Sequence, residues 1–224
     1  MLTILQVRMS SKRLPGKATK KINKKTMIIR VIQRLKESKK ISKIIVATSN
    51  HKKDKAITKI CKQNKIKFFC GSLNDVSERF SDILRRVKKY KSFIRISADS
   101  PLIDGHLIDK FISIYNKKKP DILTNVFPRT FPSGQSIEII KTSTFLKSQK
   151  KFRNSSDKEH VTKFFYNNNK LFKIYNVKNR KNFSKIKMSV DTAVDLEKIR
   201  RIYEEFIDKS NKFFTWKEIL KFYK

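Results

Sequence analysis

The chain has 224 residues, long enough for one substantial α/β domain, and its hydrophobic share of 38% suffices for a core. Its 55 Lys and Arg against 19 Asp and Glu leave a formal net charge of +36. That would fit a polyanion binder, but lysine is spread throughout among Ile, Asn and Phe, as codon bias would spread it, so no nucleic-acid partner is expected. No apolar run nears the length of a membrane-crossing helix, and Arg8 arrives too early for a secretion signal, so a cytoplasmic location is expected.

Residues 2–7 form an apolar run of strand length. The chain then enters a loop carrying Arg8, Lys12, Arg13 and Lys17, with Pro15-Gly16 as its turn. Cations and backbone N–H groups facing one space at the end of a first strand suit a polyphosphate. The Gly-x-x-x-x-Gly-Lys-Ser/Thr spacing of a Walker loop is absent.

Met27, Ile28, Val31, Ile32 and Leu35 then recur at helical spacing, residues 43–49 read as a second buried strand, Ala56, Ile57, Ile60 and Cys61 mark a second helix, and residues 66–70 a third strand. This alternation predicts a parallel sheet covered on both faces. Cys61 and Cys70 lack metal-ligand spacing and read as reduced packing residues. Asn74 or Asp75 would cap a helix through Phe80, Ile83, Leu84 and Val87. Residues 92–98 form another strand, which exits into Asp99-Ser100-Pro101-Leu102-Ile103-Asp104, and a carboxylate at that position lies where open α/β sheets bind ligands. Asp104 suits the cap of the next helix, through Leu107, Ile108, Phe111, Ile112 and Tyr115.

Residues 121–125 read as a strand, and Pro128, Pro132 and Gly134 then break regularity. Residues 142–150 are a short helix, and Ser156 or Asp157 is expected to cap another that carries Glu159 and His160. Residues 171–177 and 186–190 read as two more strands, the second ending at Asp191. Thr192 then caps a helix through Leu196, Ile199, Tyr203 and Phe206. Residues 206–224 form a helical extension in which Trp216, Ile219, Leu220 and Tyr223 share an apolar face, while Phe213 and Phe214 are apolar candidates for a homodimer contact.

Several of these segments resemble the sugar-nucleotide cytidylyltransferases, above all the spore coat polysaccharide biosynthesis protein F family. More distant relatives are the enzymes that make CMP-octulosonate and CMP-sialic acids. The run Gln6-Val7-Arg8-Met9-Ser10-Ser11-Lys12-Arg13-Leu14-Pro15-Gly16-Lys17 is similar to that family's signature loop, with Val7 where alanine is usual. Further matches are the Gly71–Arg79 stretch, Arg95 through Asp104 with Ser97 in place of threonine, Pro132-x-Gly134-x-x-x-Glu138, Glu159-His160-Val161-Thr162 and Val190-Asp191-Thr192. Gln135 and Ser136 replace the family's leucine–aspartate pair.

The resemblance implies a single-domain Rossmann-like nucleotidyltransferase fold, a mixed and mostly parallel sheet between helices, spanning residues 1–224. It implies transfer of CMP from CTP to a sugar acceptor, acidic sugars included, with pyrophosphate released and Mg²⁺ held by Asp99 and Asp191. Arg8, Arg13 and Lys17 would hold the triphosphate, with Gln6, Ser10, Ser11, Ser72, Asp75, Arg79, Arg95 and Ser97 around the nucleotide. Pro132, Gly134, Glu138, Glu159 and His160 would border the acceptor. Three readings compete with this one, one of them a degenerate family member that binds nucleotide without turnover. A glycosyltransferase using a finished nucleotide-sugar would carry an Asp-x-Asp metal motif, which the sequence lacks. A non-catalytic polyanion or RNA binder would explain the charge but not the paired strand-end aspartates.

Overall fold

The computed structural model describes residues 1–207 and 214–223. The chain runs through β1 (Leu2–Gln6), a small hairpin of β2 (Lys21–Ile22) and β3 (Lys25–Thr26), α1 (Met27–Lys36), β4 (Lys43–Ser49), α2 (Lys55–Gln63), β5 (Phe68–Gly71), α3 (Val76–Arg86) and β6 (Ser92–Ser97). It continues through α4 (Gly105–Lys118), β7 (Ile122–Thr124), β8 (Glu138–Lys141), α5 (Thr142–Gln149), α6 (Ser155–Glu159), α7 (Lys163–Asn167), β9 (Ile174–Asn176), α8 (Ala193–Ile202) and α9 (Trp216–Ile219).

Seven strands make one sheet in the order β5-β4-β1-β6-β8-β7-β9. β5, β4, β1 and β6 are mutually parallel, β8 runs antiparallel to both β6 and β7, and β9 is parallel to β7. The sheet is therefore mixed and mostly parallel. The chain winds outward from β1 through β4 to β5, then crosses back to place β6 on the other side of β1. Such a reversal opens a crevice beyond the carboxyl ends of the strands, where ligands settle in open α/β sheets.

The period-2 alternation of each strand feeds two cores. Leu5 and Val7, with Ile94 and Ile96, meet the apolar faces of α1, α2, α4, α8 and α9. Leu2 and Ile4, with Phe93 and Ile140, meet α3, α5 and α7. This second face is built largely of phenylalanine. Phe145, fully buried, has its ring 5.4 Å from that of Phe93 and 6.3 Å from those of Phe80 and Phe165. The edge-on Phe93 contact is favoured by the ring quadrupoles.

The predicted caps Asp75, Asp104 and Thr192 hold, and Thr192 completes a reciprocal capping box with Asp195. Other expectations are corrected. Residues 186–190 form no strand of the sheet; they run extended, with an isolated bridge between Ser133 and Lys187. Residues 171–177 contribute only β9. β8 had no expected counterpart, because Glu138 interrupts the apolar signal of a strand only four residues long. Asn154, not Ser156 or Asp157, caps α6, its side chain accepting from Asp157 N at 2.7 Å. Phe214 is buried under the Arg34 guanidinium and joins Trp216 and Ile219 in the first core, so it is not an exposed dimer contact. Phe213 lies outside the described residues. Among the described residues, no helix is long and apolar enough to cross a membrane.

The phenylalanine face should carry much of the stability of the α3–α5–α7 side. Phe145→Ala is expected to cost about 3–5 kcal/mol, read as a lower urea midpoint at unchanged m-value.

Candidate active site

The loop after β1 is shaped by its own backbone hydrogen bonds. Met9 O accepts from Ser11 N at 2.9 Å and from Gly16 N at 3.2 Å, closing the loop on itself. Gly16 has φ +68°, in the left-handed region where a side chain is strained. That turn delivers Lys17 to a short 3-10 segment, Lys17–Thr19, facing the sheet end. The loop is also tied from outside. Asp54, 1% exposed, accepts from Met9 N at 2.7 Å, from Ser49 N at 3.2 Å and from the Ser49 hydroxyl.

The opposite wall is made by two acidic chain segments. β6 ends at Ser97, and Asp99 follows; residues 186–190 arrive alongside, with Val190 N bonded to Asp99 O at 2.8 Å. Asp191 comes next, just before the α8 cap. Lys17 Nζ lies between the two carboxylates, 3.2 Å from Asp99 Oδ2 and 3.3 Å from Asp191 Oδ1, and donates to Val190 O at 2.9 Å. Arg13 Nη2 reaches Asp191 Oδ1 at 3.1 Å, and Lys187 Nζ lies 3.4 Å from its other oxygen. Burial works against the charge on Asp195, but the Lys187 ammonium at 2.7 Å and the N–H groups of Asp191 and Thr192 outweigh it, holding that carboxyl below its ordinary value.

Between these walls lies a cleft of about 370 Å³. Gln6, Arg8, Ser10, Ser11, Arg13 and Lys17 line one side, with Lys12 beside them; Ser97, Asp99 and Asp191 line the other, and Glu159 and His160 close the rim. Arg8 Nη2 donates to Glu159 Oε1, and this bond keeps the Glu159 carboxyl below the usual range.

Other predicted residues stand behind the lining. Arg95 donates to Gln6 Oε1 at 3.1 Å and pairs with Glu138, which also accepts from the Tyr166 hydroxyl. Burial would lower Arg95, but the Glu138 carboxylate prevails and raises it. Glu138 is 2% exposed and fully engaged, so it braces the wall instead of facing the cleft. Pro132 and Gly134 are buried too. Gly134 has φ +90°, and a Cβ there would stand 2.6 Å from the Met188 backbone, so this glycine lets residues 133 and 187 lie side by side. Gln135 is buried, accepting from Asp104 N at 3.0 Å and donating to Leu102 O at 2.7 Å. Ser72 and Asp75 are absent from the cleft lining; Ser72 Oγ accepts from Asp75 N at 3.0 Å, and Asp75 caps α3. Arg79 is 0% exposed beneath Gly71, and none of its three guanidinium nitrogens has a hydrogen-bond partner among the described residues. Burial pushes it down to about 10.

Asp54, Lys187 and Tyr166 were not expected at the site. Asp54 reads in sequence as an ordinary start of α2, Lys187 is one lysine among many, and Tyr166 carries no spacing signal.

A cationic loop after the first strand, facing two strand-end carboxylates across a nucleotide-sized cleft at the reversal of an α/β sheet, defines a nucleotidyltransferase. The comparisons agree. The family model described as cytidylyltransferase matches residues 2–219, and the chain belongs to that family. It is 30% identical over 211 residues to an uncharacterised protein of Methanocaldococcus jannaschii, covering 92% of this chain and 84% of that one. It is 25% identical over 212 residues to the spore coat polysaccharide biosynthesis protein SpsF of Bacillus subtilis, covering 92% and 87%. Among solved structures, a cytidylyltransferase from Leptospira borgpetersenii superposes with a TM-score of 0.89 at 30% identity, covering 98% of this chain and 92% of that chain. The protein is thus a CTP-dependent nucleotidyltransferase.

The Asp54 anchor sets the loop without facing the cleft. Asp54→Ala strands two backbone N–H groups, so a stability loss of about 1–3 kcal/mol is expected. Amide hydrogen exchange should quicken across residues 9–16 while the amides of β1 stay protected.

Proposed function

We propose that this chain transfers CMP from CTP to a hydroxyl of a sugar acceptor, releasing pyrophosphate, in the biosynthesis of a surface polysaccharide. The observation that carries this reading is the convergence of Arg13 and Lys17 with Asp99 and Asp191 in one cleft. The arginine fork and the ammonium suit phosphate oxygens. In the transfer, the acceptor oxygen forms a bond to the α-phosphorus while the α–β bridging bond breaks. The hydroxyl proton passes to solvent water in the open cleft, and charge accumulates on pyrophosphate. Arg13 and Lys17 stand where they would offset that charge, and such chemistry is mostly positioning and electrostatic stabilisation.

Magnesium fits the donor set. Two carboxylates and one backbone carbonyl already converge on a cation, the Lys17 ammonium, and all three donors are hard oxygen. Asp99 and Asp191 would hold the ion, which when bound supplies charge neutralisation at the phosphates. Glu159 holds the Arg8 guanidinium until phosphate oxygens compete for it. His160 lies at the same rim and would meet the acceptor.

Arg79 belongs on the base side of this proposal. A buried guanidinium lacking an acceptor is costly, and a ring carbonyl of the base would relieve it only if the turn at Gly71, which covers Arg79, moved aside. Ser72 and Asp75 then act by fixing the turn that leads into α3.

Pyrophosphate release should be followed for each nucleoside triphosphate with Mg²⁺ and a panel of sugars. CTP-selective release, abolished by Asp99→Ala, is the expected result. RNA bound tightly with no turnover would favour the polyanion binder instead. Asp191→Asn is expected to keep CTP binding within about tenfold while kcat falls by roughly 10²-fold or more; a fully active variant would remove Asp191 from the site.

A further inference from the structure

Lys17 occupies the middle of the acidic nest. Its Nζ is 3.2 Å from Asp99 Oδ2, 3.3 Å from Asp191 Oδ1 and 2.9 Å from Val190 O. These are the oxygens assigned above to a divalent cation, so an ammonium and a metal ion cannot share them. The balance of charge points the same way. Arg13 and Lys187 also sit on Asp191, and Lys187 is shared with Asp195 at 2.7 Å, so three carboxylates are already matched by three cations. A free dication approaching this group finds no unmatched negative charge. A triphosphate supplies that charge and offers Lys17 another set of oxygens. The side chain has the reach to take them: its backbone is fixed by the Gly16 turn, its stem is unbranched and rotatable, and it lines the open cleft.

We infer that Lys17 is an internal counter-ion that trades places with the divalent cation. The metal enters between Asp99 and Asp191 as the ammonium swings from the carboxylates to the nucleotide phosphates. Metal and nucleotide therefore strengthen each other's binding, by the same factor in both directions. Until both arrive, Lys17 holds the two acidic segments together and spares them mutual repulsion. This inference rests on the CTP reading.

The test is Mn²⁺ binding, followed by the paramagnetic resonance signal of free Mn²⁺, to nucleotide-free wild type and to Lys17→Met. The variant is expected to bind Mn²⁺ about tenfold more tightly than wild type. Equal affinities in a folded variant, checked by its circular dichroism, would overturn the exchange. A second measurement needs no variant. CTP affinity of the wild type, by calorimetry, should rise about tenfold when Mn²⁺ replaces a metal-free buffer, and the rise should shrink in Lys17→Met. A wild type whose CTP affinity ignores the metal overturns the inference. Wild type that binds no CTP under any condition instead sinks the functional reading, and the nucleotide-free comparison still decides whether lysine and metal compete.

Discussion

One backbone hydrogen bond sets the geometry of the cleft. Val190 N donates to Asp99 O at 2.8 Å, and through it two segments far apart in sequence end level with each other. The bond is prepared from the other side. Ser133 N donates to Ile186 O at 3.0 Å, and Met188 N to Ser133 O at 2.9 Å, so residues 186–190 are threaded between residue 133 and the exit of β6. The absence of a side chain at Gly134 is what allows the threading at that distance. Without this seam, Asp191 would belong to a helix start unrelated to Asp99, and the cationic loop would face one carboxylate instead of two.

The central sheet was legible because each of its parallel strands is a short apolar run flanked by a helix of clear period, as in residues 43–49 followed by Ile57 and Cys61. Caps were legible where one carboxylate or hydroxyl did one local job, as at Asp75, Asp104 and Thr192. The misreadings share a cause. β8 holds Glu138, whose charge is met by Arg95 and whose other oxygen accepts from the Tyr166 hydroxyl, residues distant in sequence. Residues 186–190 have the apolar character of a strand, yet their neighbours give them backbone partners on a single bridge, which no periodicity encodes. At the site, the lining residues Arg8, Arg13, Lys17, Asp99 and Asp191 come from loop motifs that can be read in order. Asp54 works through Met9, and Lys187 through Asp191 and Asp195; such partnerships exist only once the chain has folded.

The large positive charge is arranged unequally. Within the cleft, cations are matched one against another by Asp99, Asp191, Asp195 and Glu159. Elsewhere most lysines stand exposed on helix surfaces and loops. The unmatched charge supplies a long-range field that draws in polyanions, while the paired groups give the field a place to end. Composition thus affects how a charged ligand arrives, and the pairing within the cleft governs what it meets.

Asp104 joins the site region to the far end of the described chain. Its carboxylate accepts from His106 N and Leu107 N at the start of α4 and from Trp216 N at 3.0 Å, while Arg34 donates to Phe214 O at 2.6 Å. During synthesis, then, the side of the sheet covered by α1 and α4 stays open until residues 214–219 have left the ribosome. The other side, closed by phenylalanine from α3, α5 and α7, needs nothing beyond Ile174 and can assemble earlier. The two faces of one sheet therefore mature at different moments, the apolar residues of the α1–α4 face waiting the longer for their cover.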